Sequence, residues 1–320
     1  MSLSRSRRQQ LMGGVPALLL LVALGLTTNN TASGGSGPLD APTAGPGEGR
    51  LTLAGGPFPW PAEGQGAVEV DGMPLGSWGD QRPVPIASLT KVMTAYVVLR
   101  DHPLGPGEPG PQIEADSEAA HEVGVGDEST VPVRAGEKYS ERKLLEMLLI
   151  PSGNNIARLL ARWDAGSQEA FVRKMQRSAK ELGMDHTTYT GASGVEPTTR
   201  STASDQLKLA RQAMKDPVFR AVVASRTVAV PGAGSLANTN TLLGTSGVVG
   251  LKTGSSTPAG GNLLWASEAR VGGRTRLLLG AVLHQRANTS AAEGLRAALE
   301  NSKVLIDRLR DRLTTARTEG

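Results

Sequence analysis

Residues 85–99 read Pro-Ile-Ala-Ser-Leu-Thr-Lys-Val-Met-Thr-Ala-Tyr-Val-Val-Leu. Ile86, Leu89, Val92, Met93, Tyr96 and Val97 recur at helical spacing, so a helix is expected to start near Ser88. Lys91 then falls one turn after Ser88 on the same face, within hydrogen-bonding reach. One reading makes Ser88 an N-cap and Lys91 a solvated first-turn residue. Two features oppose it. A lysine in the first turn works against the helix dipole, and Ile86, Ala87, Leu89, Val92 and Met93 surround it with apolar side chains. Chemistry supplies a reason for such a cation: a serine hydroxyl is a weak nucleophile until a base removes its proton, and a lysine can do so only when neutral. Burial among apolar groups and a second cation nearby both lower a lysine's pKa. The helix start would also aim backbone N–H groups, that of Ser88 included, at a developing oxyanion.

Outward along the chain, two further short constellations follow in order. Ser152, Gly153 and Asn154 lie with Pro151 in a tight break between two apolar helical patterns, Leu144 to Ile150 and Ile156 to Trp163. In that turn Ser152 could pass a proton to a leaving amine, and Asn154 could hydrogen-bond a substrate amide. The bland alternative is a helix-capping turn. Lys252, Thr253 and Gly254 fall on an expected edge strand, Leu251 to Ser255. There a cation and a hydroxyl can hold a substrate carboxylate, and a glycine lets a substrate backbone approach closely. Lys252 is also the natural second cation for Lys91, although lysine is common on solvated edge strands.

The remaining periodicities set the fold class. A short strand is expected at Ala67 to Val70, a turn-rich segment up to Pro85, and a surface loop from Pro103 to Pro111. Helices are expected at Phe171 to Leu182 and Ser204 to Met214. Strands at Asn262 to Val271 and Thr275 to Leu283 are joined as a hairpin through Gly272 and Gly273, and an amphipathic helix, Ala291 to Leu313, closes the pattern. A strand before a helical insertion and several strands after it imply an α/β (α+β) domain: an antiparallel sheet flanked by helices plus a mostly helical subdomain.

The N-terminus reads differently. Residues 1–30 carry a basic start (Arg5, Arg7, Arg8) and an apolar run from Leu11 to Leu26, the pattern of a signal peptide or an N-terminal membrane anchor. The run is short of the roughly 20 apolar residues of a comfortable span, and no small-x-small cleavage site follows it, so both forms stay open. Residues 31–65, rich in Gly, Pro and Ser, read as a flexible linker, with the folded domain expected over 66–316. The formal charge of +4 falls to +1 without the three leader arginines, which leaves no basic patch for nucleic acid. Cysteine is absent, which excludes disulfides, a thiol nucleophile and thiolate metal sites. His102, His121, His186 and His284 show no metal-ligand spacing, and no metal or organic cofactor is expected.

Each constellation is weak alone; their order and flanks are not. The contexts PIASLTKVMTAYVVL, LLEMLLIPSGNNIARLLARW, FVRKMQRSAKELGMDHTTYTGASGV and GVVGLKTGSSTPAGGNLLWAS resemble the low-molecular-mass penicillin-binding proteins of the D-alanyl-D-alanine carboxypeptidase family. The resemblance spans Gly66 to the final helix. It implies a β-lactamase/transpeptidase-like fold, extracytoplasmic removal of the terminal D-Ala from peptidoglycan stem pentapeptides, and β-lactams as covalent inhibitors. By residue it implies Ser88 as acylated nucleophile, Lys91 as general base, Ser152 as proton relay and Asn154 as substrate ligand. Lys252 would add electrostatic support, Thr253 a carboxylate contact, Gly254 room for the substrate, and the Ser255 N–H a second oxyanion donor. Arg286, just past the last strand, would help hold the terminal carboxylate.

Two departures stand out. Larger members of the family carry a second, all-β domain and an amphipathic C-terminal anchor, whereas this chain closes on mixed charge from Arg308 to Glu319, so membrane attachment is expected through the N-terminal segment if it is uncleaved. Gln176 stands where the family pattern has asparagine, a difference expected to affect packing. The nearest rival is a class A β-lactamase, but no Glu-x-x-Leu-Asn segment lies between the second and third motifs, and the second reads SGN rather than SDN. Slow deacylation of β-lactams is therefore expected. Transpeptidase or endopeptidase action by the same acyl-enzyme, and a non-catalytic penicillin sensor, are the other readings.

Overall fold

The computed structural model describes residues 58–315; the expected leader and most of the expected linker lie outside the described residues, as does residue 316. The chain opens with β1 (Gln65–Val70), β2 (Met73–Trp78) and β3 (Val84–Pro85), then a 3-10 turn (Ala87–Leu89) that runs into α1 (Thr90–Asp101). Next come β4 (Gln112–Glu114), α2 (Ser117–His121), β5 (Lys138–Ser140), α3 (Glu141–Leu149), α4 (Asn154–Ala165) and α5 (Gln168–Glu181). They are followed by β6 (Arg200–Ser201), α6 (Ala203–Ala213), α7 (Pro217–Val223), β7 (Thr227–Val230) and β8 (Gly234–Ala237). The last elements are β9 (Val248–Ser256), β10 (Gly260–Val271), β11 (Arg274–Gln285) and α8 (Ala291–Thr315).

Five strands form one antiparallel sheet in the order β2-β1-β11-β10-β9. Side chains alternate across a strand, so each strand supplies both faces. On β10, Leu263 and Trp265 join Ala298, Ile306 and Leu309 of α8 in one core, while Leu264 and Ala266 face the larger core of the helical side. With both faces covered, β10 is buried over most of its length. The hairpin from β10 to β11 turns at Gly272 and Gly273, both at positive φ, as expected of a tight turn. In the helical part α1 is central: Val92, Met93, Ala95, Val97 and Val98 are fully buried, and α3, α4, α5 and α6 all contact it.

The structure extends the sequence reading at the N-terminal edge. β1 begins at Gln65, and Phe58 and Trp60 pack against the α8-side core ahead of the expected boundary at Gly66. Gln65 closes this corner, donating to Arg82 O at 2.8 Å and accepting from Ala203 N at 2.8 Å. The segment expected to be turn-rich contains β2; Pro74 and Gly76 obscure its pattern, and both are tolerated because β2 is an edge strand. The loop at 103–111 is a loop, and among the described residues no helix is long and apolar enough to cross a membrane.

Candidate active site

The 3-10 turn places Ser88 ahead of α1 and against the end of β9. Ala87 adopts φ 46, a left-handed backbone that costs strain at a non-glycine residue. Two contacts hold it: Thr90 Oγ1 donates to Ala87 O at 2.7 Å, and Gly194 presses on the same carbonyl so closely that a Cβ there would lie 2.0 Å from it. On the other side, a Cβ at Gly254 would lie 2.9 Å from Ser88 N and 2.8 Å from Ile86 O. Only glycine lets β9 approach the turn this closely.

Lys91 is 0% exposed and sits at the centre of the cluster. Its Nζ donates to Ser88 Oγ at 2.8 Å, to Asn154 Oδ1 at 2.6 Å and to Ser193 O at 2.8 Å. Burial pushes its pKa well below the ordinary lysine value, and the positive charges of Lys252 and Arg158 push the same way. Lys252, 1% exposed, donates only to its neighbour's carbonyl, Thr253 O, at 3.1 Å, and burial lowers its pKa to about 7. The expected edge strand is a covered one rather than a solvated one: β9 is the edge of the sheet, yet Gly250 to Gly254 are buried beneath the turn and helices.

Ser152 lies between α3 and α4 at φ 67, is 4% exposed, and its Oγ makes no hydrogen bond. A buried hydroxyl with no partner on a strained backbone is costly for stability, as residues reserved for chemistry often are. Gly153 N donates to Met147 O at 3.1 Å and Asn154 N to Ser129 O at 2.8 Å, which lock the turn. Thr253 Oγ1 shares a 2.5 Å hydrogen bond with Thr239 Oγ1, and Thr239 N donates to Ile150 O at 3.3 Å, tying β9 to the helical side. Ser255 is half-buried near the end of β9.

Ser88, Lys91 and Asn154 are therefore joined by direct contacts, with Gly254 against the turn and Lys252 acting on Lys91 through its charge. Arg286 is not among them. Its guanidinium is exposed and pairs with Glu63 at 3.4 Å, and its backbone N donates to the same carboxylate. Sequence reasoning passed over four further residues: Ser193, Glu128, Arg158 and Thr239. The Ser193 carbonyl lies in the quoted GASGV segment but carries no side-chain signal. Glu128 accepts from Asn154 Nδ2 at 3.1 Å and pairs with Arg158, and Thr239 supports Thr253. Gln176 spans two backbone groups, donating to Thr187 O and accepting from Tyr189 N, a structural role. Among the described residues no group of three or more His, Asp or Glu could hold a metal ion.

A serine hydroxyl held on a buried lysine of depressed pKa, at the junction of a helical subdomain and an antiparallel sheet, is the arrangement that serine–lysine acyl transfer requires. Comparison with known proteins narrows the class. The D-alanyl-D-alanine carboxypeptidase family, peptidase S11, matches residues 75–281. A D-alanyl-D-alanine carboxypeptidase of Streptomyces sp. (strain K15) is 34% identical over 213 residues, covering 61% of this chain and 71% of that protein. The crystal structure of the Streptomyces K15 DD-transpeptidase superposes with a TM-score of 0.65 at 28% identity, over 76% of this chain and 94% of that one. Penicillin binding protein 6B from Escherichia coli superposes with a TM-score of 0.64 at 27% identity, over 79% and 82% of the two chains. The chain belongs to the D-alanyl-D-alanine carboxypeptidase family and is an extracytoplasmic serine hydrolase of that class.

Proposed function

We propose that the enzyme removes the terminal D-Ala from peptidoglycan stem pentapeptides through an acyl-enzyme on Ser88. Neutral Lys91 takes the Ser88 proton as Oγ attacks the carbonyl of the penultimate D-Ala. The backbone N–H groups of Ser88 and Ser255 hold the oxyanion, and Gly254 gives the substrate backbone room. Ser152 relays the proton to the departing D-Ala amine. Asn154 hydrogen-bonds the stem-peptide amide, while Lys252 and Thr253 receive the terminal carboxylate. Water then attacks the ester, its proton returning through Lys91, which restores Ser88. A β-lactam takes the same path to a slowly hydrolysed adduct. Arg286, whose exposed guanidinium pairs with Glu63, would help hold the terminal carboxylate. The segment 1–30, as signal or anchor, and the linker 31–65 would deliver the domain, over residues 66–316, to the outer face of the membrane.

The observation that carries this reading is the 2.8 Å contact between Lys91 Nζ and Ser88 Oγ, made by a lysine that burial inclines to be neutral. The test is D-alanine release by the full chain from a pentapeptide ending in D-Ala-D-Ala. D-alanine release with the shortened peptide appearing as its free acid, both lost in Ser88→Ala, supports the reading; a well-folded wild type that releases D-alanine only when an amine is added, with the acyl group ending on that amine, replaces it with transpeptidation.

A further inference from the structure

We propose that Glu128 is a positioning residue for the reaction: its carboxylate fixes which end of the Asn154 amide faces Lys91, and so keeps the Lys91 lone pair on Ser88. The inference rests on the serine–lysine reading above. Glu128 Oε2 accepts from Asn154 Nδ2 at 3.1 Å and from Arg158 Nη2 at 2.6 Å, and Arg158 Nη1 continues to Glu122 Oε2 at 2.8 Å. An ionised carboxylate only accepts hydrogen bonds, so it holds the NH2 end of the amide and leaves Asn154 Oδ1 facing Lys91 Nζ at 2.6 Å.

The orientation matters because a neutral lysine has two N–H groups and one lone pair. Asn154 Oδ1 and Ser193 O take the two N–H groups, which leaves the lone pair for the Ser88 hydroxyl at 2.8 Å. If the amide turned over, its NH2 would donate to that lone pair, and the base would be occupied by Asn154 instead of Ser88. The Asn154 NH2 carries two hydrogens; Glu128 takes one, and the second is available to a substrate amide oxygen.

The charged groups that act on Lys91 come from four places: Lys252 on β9, Arg158 on α4, Glu128 between α2 and β5, and Glu196 beyond Ser193. Arg158 lowers the lysine's proton affinity and Glu128 raises it, so the ion pair orients the amide while its two charges offset one another at the base. Removing the Glu128 charge therefore shifts Lys91 to lower pKa.

The experiment compares the full-length wild type with Glu128→Ala, Glu128→Gln and Ser88→Ala. Benzylpenicillin labelling is followed by intact mass as a function of pH, and the final labelled fraction counts competent sites. Glu128→Ala is expected to label fully but with a plateau rate constant lower by roughly tenfold or more, the scale of a misplaced catalytic group. Glu128→Gln, which keeps an acceptor oxygen, is expected to regain most of that rate. In both variants the acid limb moves to lower pH. Full labelling at the wild-type rate and pH limb would overturn the positioning role and leave the serine–lysine reading standing. A reduced labelled fraction with an unmoved limb would make Glu128 merely structural and equally overturn it. An unlabelled wild type, or a labelled Ser88→Ala, would instead defeat the serine–lysine reading itself.

Discussion

Lys91 and Lys252 are both sealed from solvent, yet they are held in opposite ways. Lys91 has three hydrogen-bond partners at 2.6–2.8 Å drawn from the Ser88 turn, α4 and the segment before β6. Lys252 has one acceptor, the adjacent Thr253 carbonyl at 3.1 Å. A fixed set of partners gives a proton acceptor its direction; a buried ammonium with little to bond is poised to gain from an arriving anion. In the proposed function the two lysines divide the chemistry in these terms, Lys91 aligned on Ser88 as nucleophile and Lys252 prepared for a carboxylate.

The sharpest way to break this division is Lys91→Met, which keeps the volume and removes the base. Acylation by benzylpenicillin is expected to fall by roughly 10²–10⁴-fold, the usual range for a general base, while the unfolding midpoint holds or rises because a buried amine is gone. A variant that acylates normally would show that Lys91 is packing alone. Lys252→Met is expected to act mainly on binding, raising KM for a D-Ala-D-Ala peptide by about tenfold to a hundredfold, the scale of a hydrogen bond to a charged group. It should also move the acid limb of kcat/KM to higher pH, because loss of the neighbouring cation raises the pKa of Lys91. In the wild type, Lys252 is cationic below its pKa of about 7, so carboxylate recognition is present at lower pH and lost as pH rises through 7. An unchanged KM in Lys252→Met would leave Thr253 as the carboxylate ligand by itself.

A third buried ionisable group gives the smallest effect and serves as contrast. Glu141 is 0% exposed, neither carboxyl oxygen has a partner, and burial, with Asp164 nearby, raises its pKa to about 7. Its folded value lies above the unfolded one near 4.5, so its contribution is fully present below pH 4.5 and lost as pH rises through 7. Glu141→Gln is expected to remove that slope, changing stability at pH 8 by the order of 1 kcal/mol in denaturant titrations while acylation is unchanged. Loss of acylation in this variant would tie Glu141 to the site.

The local features were legible in the sequence, and the assembly of the site from distant segments was not. Ser88 and Lys91 could be read because a helix brings them together within one turn, and Ser152 because Pro151 and Gly153 interrupt two apolar patterns. β10, β11 and α8 follow from periods that persist for 12 residues or more. The partners that orient Lys91 lie 63 and 102 residues away, and one is a backbone carbonyl, which no residue type announces. Glu128 sits in a segment without periodicity. Its proximity to Asn154 depends on Asn155, whose side chain accepts from Val131 N and donates to Ala119 O and Val131 O, drawing that segment onto α4. Arg286 was placed by resemblance at a strand end, where alignment is least constrained, and its exposed guanidinium pairs with Glu63. β2 escaped because an edge strand tolerates the proline and glycine that otherwise signal a turn.

The most direct measurement is peptide mapping of the wild-type chain after a short incubation with benzylpenicillin, beside Ser88→Ala treated identically. One penicilloyl group per molecule, located on Ser88 and absent from the variant, is the result expected if Lys91 aligns that hydroxyl for attack. A folded wild type with no adduct, or an adduct that persists when Ser88 is alanine, would contradict it.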